Sequence, residues 1–192
     1  MSLHTQNVQS LWRRARDENG EVILNADRDT TKLNPIVARM KQQDIGAMCI
    51  QETWDEGDVF DEEMNSFRIF RHNREPGEEG RDHLFRGVAL ILSPKFYKAW
   101  RDAGCQKPTT SPKGEFEGRF IGMYLKLQNY DKNGKEIRGK RKFLNIFLAS
   151  IYHPWEDEAH FQFSDILEDI FQKGRDRNEV IFGANINARI GT

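Results

Sequence analysis

Two amides, Asn185 and Asn187, close the otherwise apolar run Val180-Ile181-Phe182-Gly183-Ala184 near the end of the 192-residue chain. Buried amides without partners are expensive, so this pattern reads as a buried strand that delivers two polar side chains at its C-terminal end. Three other stretches end the same way. Asn7 closes a short strand pattern, Glu52 follows the run Ile45-Gly46-Ala47-Met48-Cys49-Ile50, and Tyr152 with His153 closes residues 142–151. A carboxylate beside amides suits a hard cation such as Mg²⁺ (or Mn²⁺), which takes oxygen ligands and keeps waters for a substrate phosphate. Amides and a tyrosine hydroxyl donate hydrogen bonds to phosphate oxygens without adding charge. Cation, charge-stabilising donors and a base to activate water are the parts of metal-assisted phosphoester cleavage.

Each residue has a plainer alternative. Asn7 could serve the turn that leaves its strand. Glu52 opens an acidic stretch over residues 52–63, with seven acids and no base, which reads as a solvated face. Tyr152 could pack its ring and keep its hydroxyl wet. His153 is a lone histidine and reads as a supporting or surface residue rather than a ligand. The paired amides are the hardest to explain away.

The elements that must position these groups follow from periodicity. Leu33, Ile36, Val37 and Met40 fall at i, i+3, i+4 and i+7, the spacing of an amphipathic helix. Thr31 is a candidate cap for it, and Pro35 fits its first turn. Residues 45–50 read as a central strand, residues 67–70 alternate as a strand does, and residues 87–92 form another apolar run stopped by Ser93-Pro94. Residues 119–127 and 142–152 are two long strand patterns with Asn133-Gly134 between them, a dipeptide that favours a hairpin turn. Phe161, Phe163, Ile166, Leu167, Ile170 and Phe171 predict a second helix, and the final strand follows. Residues 13–30 are charged and read as a surface insertion. Strand, helix, a run of strands, helix, strand predicts a layered α/β arrangement with mixed or antiparallel pairing.

Thirty acids against 29 bases leave a net charge of -1. Any nucleic-acid contact must therefore come from local patches. Residues 129–142 are such a patch, with six bases and two acids, a local excess of four. An exposed basic hairpin tip there could track phosphates through Lys140, Arg141 and Lys142, or could be a solvated loop that blocks edge pairing. Arg119 opens its strand where it could also face phosphate. Cys49 and Cys105 have no metal-site spacing, and Cys49 reads as a buried free thiol. With no long apolar span and no signal core, the expected setting is soluble, reducing and intracellular, without a membrane partner.

Five phrases in order carry a family resemblance: Thr5-Gln6-Asn7-Val8-Gln9-Ser10-Leu11, Gln51-Glu52-Thr53-Trp54, Gly87-Val88-Ala89-Leu90-Ile91-Leu92-Ser93, Ser150-Ile151-Tyr152-His153-Pro154, and Asn185-Ile186-Asn187-Ala188-Arg189-Ile190-Gly191. The chain resembles the endonuclease/exonuclease/phosphatase superfamily. It is most similar to endonuclease domains of LINE-type retrotransposons and to craniofacial-development-protein-like relatives. The resemblance implies an α+β, DNase-like four-layer α/β/β/α sandwich over residues 1–192, with the second half of the fold incomplete. It implies a Mg²⁺-dependent DNA endonuclease with Glu52 holding the metal and Asn7 in support. Tyr152 matches the family's active-site tyrosine and Asn187 its phosphate-contacting asparagine. It further implies DNA as substrate, a nuclear setting, and a polyprotein partner such as a reverse transcriptase.

Two departures from the family pattern accompany the resemblance. Asn185 stands where the family has its catalytic aspartate, and an amide cannot accept a proton near neutral pH. The later Ser-Asp-His-like motif of the family finds no match, and the second sheet is expected to be largely missing, as in a fragment truncated at its C-terminus. The expectation is a weakened or inactive nuclease. A non-catalytic DNA-binding relic and a phosphatase of the same superfamily are the alternatives.

Overall fold

The structure is a computed structural model that describes residues 2–8, 32–53, 58–74, 87–139, 142–154, 157–175 and 179–185. Nine strands and three helices are found among these residues: β1 (Ser2–Asn7), α1 (Leu33–Gln42), β2 (Ile45–Gln51), β3 (Val59–Met64), β4 (Phe67–His72), β5 (Val88–Leu92), α2 (Pro94–Asp102), β6 (Thr109–Thr110), β7 (Phe120–Gln128), β8 (Phe143–Tyr152), α3 (Asp157–Arg175) and β9 (Glu179–Asn185). Sheet 1 has five strands in the order β1-β2-β5-β4-β3, and sheet 2 has four in the order β6-β7-β8-β9. Pairing is parallel between β1 and β2 and between β8 and β9, and antiparallel elsewhere. The mixed α+β fold expected from the sequence is therefore present.

Alternation along the strands builds the layers. Ala47, Cys49, Val88, Leu90 and Leu92 of sheet 1 face Ile121, Met123, Leu125, Ile146 and Leu148 of sheet 2 in one core. On the other face of sheet 1, Leu33, Ile36, Val37 and Met40 of α1 cover Met48, Ile50, Ile69 and Ile91. On the other face of sheet 2, Phe163 and Leu167 of α3 cover Phe120, Phe147, Ala149 and Ile151. The result is helix, sheet, sheet, helix, and both central strands read as continuous apolar runs because both their faces are buried.

Several expectations change in detail. The second sheet is not largely missing, since the β7–β8 hairpin and β9 supply a packed face opposite sheet 1. A third helix, α2, follows β5 without a gap. Ser93 caps it, accepting from Phe96 N at 3.5 Å, and Pro94 opens it. Its Phe96, Ala99 and Trp100 join the inter-sheet core. Part of the acidic stretch is strand β3 rather than a solvated face, and Glu62 there meets the buried Arg71 guanidinium at 2.6 Å. The final strand is less buried than expected, with Phe182 51% exposed, because β9 is an edge strand among the described residues. The N-cap position of α1 is Lys32 and carries no side-chain cap bond, while Thr31 lies outside the described residues. The charged residues 13–30 lie outside them as well.

The β7–β8 connection is longer than a two-residue hairpin. Asp131 Oδ1 accepts from Asn133 N at 2.8 Å and Lys135 N at 2.9 Å, and Gly134 takes a φ of 76°. The Asn133-Gly134 signal is therefore real, but it closes an Asp-anchored turn beyond the ends of the strands.

Candidate functional site

One rim of the sandwich gathers the ends of seven strands. In the parallel pairs, Asn7 stands opposite Gln51, and Tyr152 opposite Asn185. The antiparallel neighbours bring the start of β5 (Val88), the end of β4 (His72) and the start of β7 (Phe120) to the same rim. Strand ends spread over the whole sequence thus meet along one edge. That answers where Asn7, Glu52, Arg119, Tyr152 and Asn185 lie: all on this rim, by backbone position. Asn187, Lys140 and Arg141 lie outside the described residues. Lys142 is exposed at the start of β8, at the opposite end of the sheet.

Gln51 joins the two sheets just beneath the rim. Its buried amide donates from Nε2 to Ser150 Oγ at 3.0 Å and to Gly183 O at 3.2 Å, and Oε1 accepts from Thr5 Oγ1 at 3.2 Å. Ser150 Oγ in turn donates to Ile50 O at 2.8 Å. Four strands from both sheets are tied by two side chains. Such a satisfied polar network fixes register where apolar packing alone would allow sliding. The Cys49 thiol, one pleat below, donates to Ala149 O at 3.3 Å. Burial pushes this thiol up to about 12, against a lowering by its backbone contact with Gly183, so it stays protonated and inert.

Glu52 leaves β2 with a φ of 59° and is half-buried. A non-glycine residue in the left-handed region is uncommon and carries strain. Thr53 then locks the exit. Its N–H donates to Gly87 O at 3.2 Å and its hydroxyl to Asn73 Oδ1 at 2.5 Å. Gly87, with a φ of 134°, must be glycine, because a Cβ there would lie 2.0 Å from Thr53 Oγ1.

On the sheet 2 side, Tyr152 N donates to Arg119 O at 2.8 Å, and Arg119 Nη1 donates to Tyr152 O at 3.4 Å. The guanidinium lies 5.3 Å from the Tyr152 ring centroid and Arg119 is only 6% exposed. Arg119 is thus packed on the tyrosine rather than projected into solvent. A hydrogen-bonded chain, exposed at Asp58 and buried at His72 and Ser111, holds this pair. Asp58 Oδ1 lies 2.6 Å from His72 Nδ1, His72 Nε2 lies 3.1 Å from Ser111 Oγ, and Ser111 Oγ accepts from Arg119 N at 3.2 Å and Phe120 N at 3.3 Å. The order of residue types is that of a hydrolytic triad. Ser111, however, is 3% exposed with its oxygen taken by two backbone N–H groups, so the chain positions β7 and is no nucleophile.

His153 faces away from the rim. Its ring lies against that of His160 of α3, 4.0 Å between centroids and tilted by 40°, and its Nε2 lies 3.3 Å from Ser164 Oγ. Burial, and secondarily His160 and Arg119, pull its pKa below the ordinary imidazole value. The reading of His153 as a supporting residue agrees with this placement.

Sequence reasoning missed Gln51, Thr53, Asp58, His72, Asn73 and Ser111. The signal for the first two was present, since Gln51 and Thr53 flank Glu52 in a polar run directly after an apolar strand. The others carry no local signal, because their meaning lies in contacts between residues far apart in sequence.

No group of three or more His, Cys, Asp or Glu side chains that could hold a metal occurs among the described residues. Mg²⁺ often uses only one or two protein carboxylates. Glu52, half-buried at the rim beside the end of β1, is compatible in donor chemistry with that habit. No helix among the described residues is long and apolar enough to cross a membrane.

No protein-family profile and no curated protein matches the chain. Solved structures do. The catalytic domain of Xenopus laevis APE2 superimposes with a TM-score of 0.51 at 15% identity, over 80% of this chain and 53% of that one. The endonuclease domain of TRAS1, a telomere-specific non-LTR retrotransposon, gives 0.42 at 13% identity, over 81% of this chain and 53% of that one. An endonuclease/exonuclease/phosphatase family protein from Leptotrichia buccalis gives 0.49 at 12% identity, over 98% and 67%. The chain spans about half the length of the first two. At such identities the likeness is one of fold, and the APE2 superposition is close enough to carry it. The chain has a DNase-like fold.

Proposed function

We propose that residues 1–192 form a metal-dependent phosphodiesterase domain of the endonuclease/exonuclease/phosphatase type, acting on DNA and weakened by Asn185. The observation that carries this reading is the rim itself. Asn7, Glu52, Tyr152 and Asn185, chosen from sequence phrases, come to one edge through two parallel strand pairs in opposite sheets. The DNase-like fold supports it.

In this reading Glu52, with Asn7 in support, holds Mg²⁺ or Mn²⁺. A bound cation would neutralise developing charge on the phosphoryl oxygens. Tyr152 donates a hydrogen bond to the phosphate, and Arg119, against its ring and main-chain oxygen, holds the residue in place and keeps the local potential positive. Asn187 makes the second phosphate contact. Asn185 can orient a water but cannot take its proton, and general-base catalysis contributes roughly 10²–10⁴-fold. The retrotransposon setting, with a polyprotein partner such as a reverse transcriptase and a nuclear site of action, rests on the sequence phrases alone.

Nicking of supercoiled plasmid in Mg²⁺ by the chain and by Asn185→Asp tests the reading. Trace cleavage by the chain and a gain of roughly 10²-fold or more in the variant are expected. Equal, robust cleavage by both would remove the base role from position 185. DNA binding with no cleavage by either would favour the second reading, a binding module that kept the cleft and lost the chemistry, which the amide at Asn185 already suggests.

A further inference from the structure

Two aromatic rings stay exposed at the end of sheet 2 opposite the rim, Phe143 at 36% and Tyr130 at 42%. Lysines from separate elements approach both. Lys126 Nζ of β7 and Lys142 Nζ sit over the Phe143 ring, 4.4 and 5.0 Å from its centroid, and Lys95 Nζ of α2 sits over that of Tyr130 at 5.3 Å, so a base that stacks on either ring takes the place of an ammonium group and leaves that cation to the phosphate. The turn between the rings adds Lys132, Lys135 and Arg138, all exposed. An open groove of about 500 Å³ runs beside Phe143, between the end of α2 and the strands, with Gln106 and Asn145 in its lining. Its one carboxylate, Asp102, is already engaged by Lys98 at 2.5 Å.

Exposed rings interleaved with ammonium groups are the physical requirements for holding unpaired bases. A ring stacks on any base face, and the cations follow the backbone. A duplex hides its base faces in the stack and offers phosphates alone, so it would leave the rings unused. An acidic peptide would satisfy the lysines but has no flat faces to match Phe143 and Tyr130. Nine residues of β7, at roughly 3.3 Å each, place this surface about 30 Å from the rim.

We propose that the hairpin end of sheet 2 binds single-stranded nucleic acid, with bases stacked on Phe143 and Tyr130 and phosphates held by Lys126, Lys142 and Lys95, at a site separate from the Glu52 rim. This inference does not depend on cleavage at the rim. It would let the chain hold an unpaired strand at one end while a duplex meets the other.

Fluorescence anisotropy with labelled oligo(dT), a duplex of equal length and polyglutamate tests it on the full chain. Oligo(dT) should bind, and Phe143→Ala should weaken it by roughly 5- to 150-fold, the range for loss of one stacked base. Lys126→Ala with Lys142→Ala, which touches no core residue, should lower the slope of log K against log salt by about 1.4, since each single-strand phosphate contributes about 0.7. Arg119→Ala, at the rim, should weaken oligo(dT) binding by clearly less than Phe143→Ala does. Circular dichroism melts check that each variant folds. The proposal fails if oligo(dT) does not bind or is insensitive to the lysine pair. It also fails if Arg119→Ala weakens oligo(dT) as much as Phe143→Ala does, which would place the strand in the cleft. Equal binding of polyglutamate with the same sensitivity to Phe143→Ala would make the surface an acidic-peptide site instead.

Discussion

Glu52 and Gln51 are neighbours with opposite demands. Glu52 holds a left-handed φ of 59° at the edge of the candidate site, while Gln51 is 1% exposed and joins three other strands. The strain at one is sustained by the hydrogen bonds of the other and by the Thr53 lock, as backbone outliers at functional sites require over-determined surroundings. Truncating Gln51 to Ala leaves Ser150 Oγ and Gly183 O, both buried, each short of a donor inside the sandwich. Each orphaned group costs about 1–3 kcal/mol, so with two of them Gln51→Ala should lose roughly 2–6 kcal/mol in urea unfolding. A loss under 1 kcal/mol would mean that water replaces the amide and that the sheets are not held by it.

Gly183 shows how an element's composition follows from its neighbour. β9 crosses over β1 and β2 so closely that a Cβ at Gly183 would lie 2.6 Å from Cys49 Cβ and 2.8 Å from Thr5 Cβ. Those are backbone-proximal atoms with no rotamer to yield. Gly183→Ala should therefore destabilise by about 1–3 kcal/mol through overpacking, seen as a lower urea midpoint at unchanged m-value. An unchanged midpoint would show that β9 does not press on sheet 1. The same strand explains a misreading. Val180, Ile181 and Phe182 look like a fully buried run, yet Phe182 is half-exposed and covered only in part by a stacking contact with Phe171 at 5.4 Å. α2 is the converse case. Its Ser93-Pro94 start looks in sequence like the end of a strand, and a serine cap followed by proline is also how a helix begins.

For the molecule as a whole, α3 seals sheet 2, and His153 is the titrating group in that seal. Its pKa is depressed in the folded chain, mainly by burial. As pH falls, the unfolded chain binds this proton first. The stability linked to His153 is therefore present above the unfolded value near 6.5 and is lost as pH falls from there through the lower folded value. Urea midpoints between pH 7.5 and 5 should fall less steeply for His153→Gln than for the parent chain. A parent and variant with parallel pH profiles would show that His153 takes up its proton as readily folded as unfolded.

What the sequence determined by itself was local and periodic. The apolar runs at residues 45–50 and 87–92, the stripe of Leu33, Ile36, Val37 and Met40, and the polar endings at Asn7, Glu52 and Tyr152 were legible because a strand period or helix period is written in neighbouring residues. The DNase-like fold was implied by the resemblance that the five phrases carry, and by no periodicity. Only the tertiary structure decided that Gln51 rather than Glu52 ties the sheets, that Asp58, His72 and Ser111 form one chain behind Arg119, and that Lys142 lies at the far end from the rim. These depend on register between strands over a hundred residues apart in the case of Gln51 and Gly183. A register slip of one residue would turn every such side chain to the other face. That information belongs to the packing of two sheets and to no single stretch of the chain.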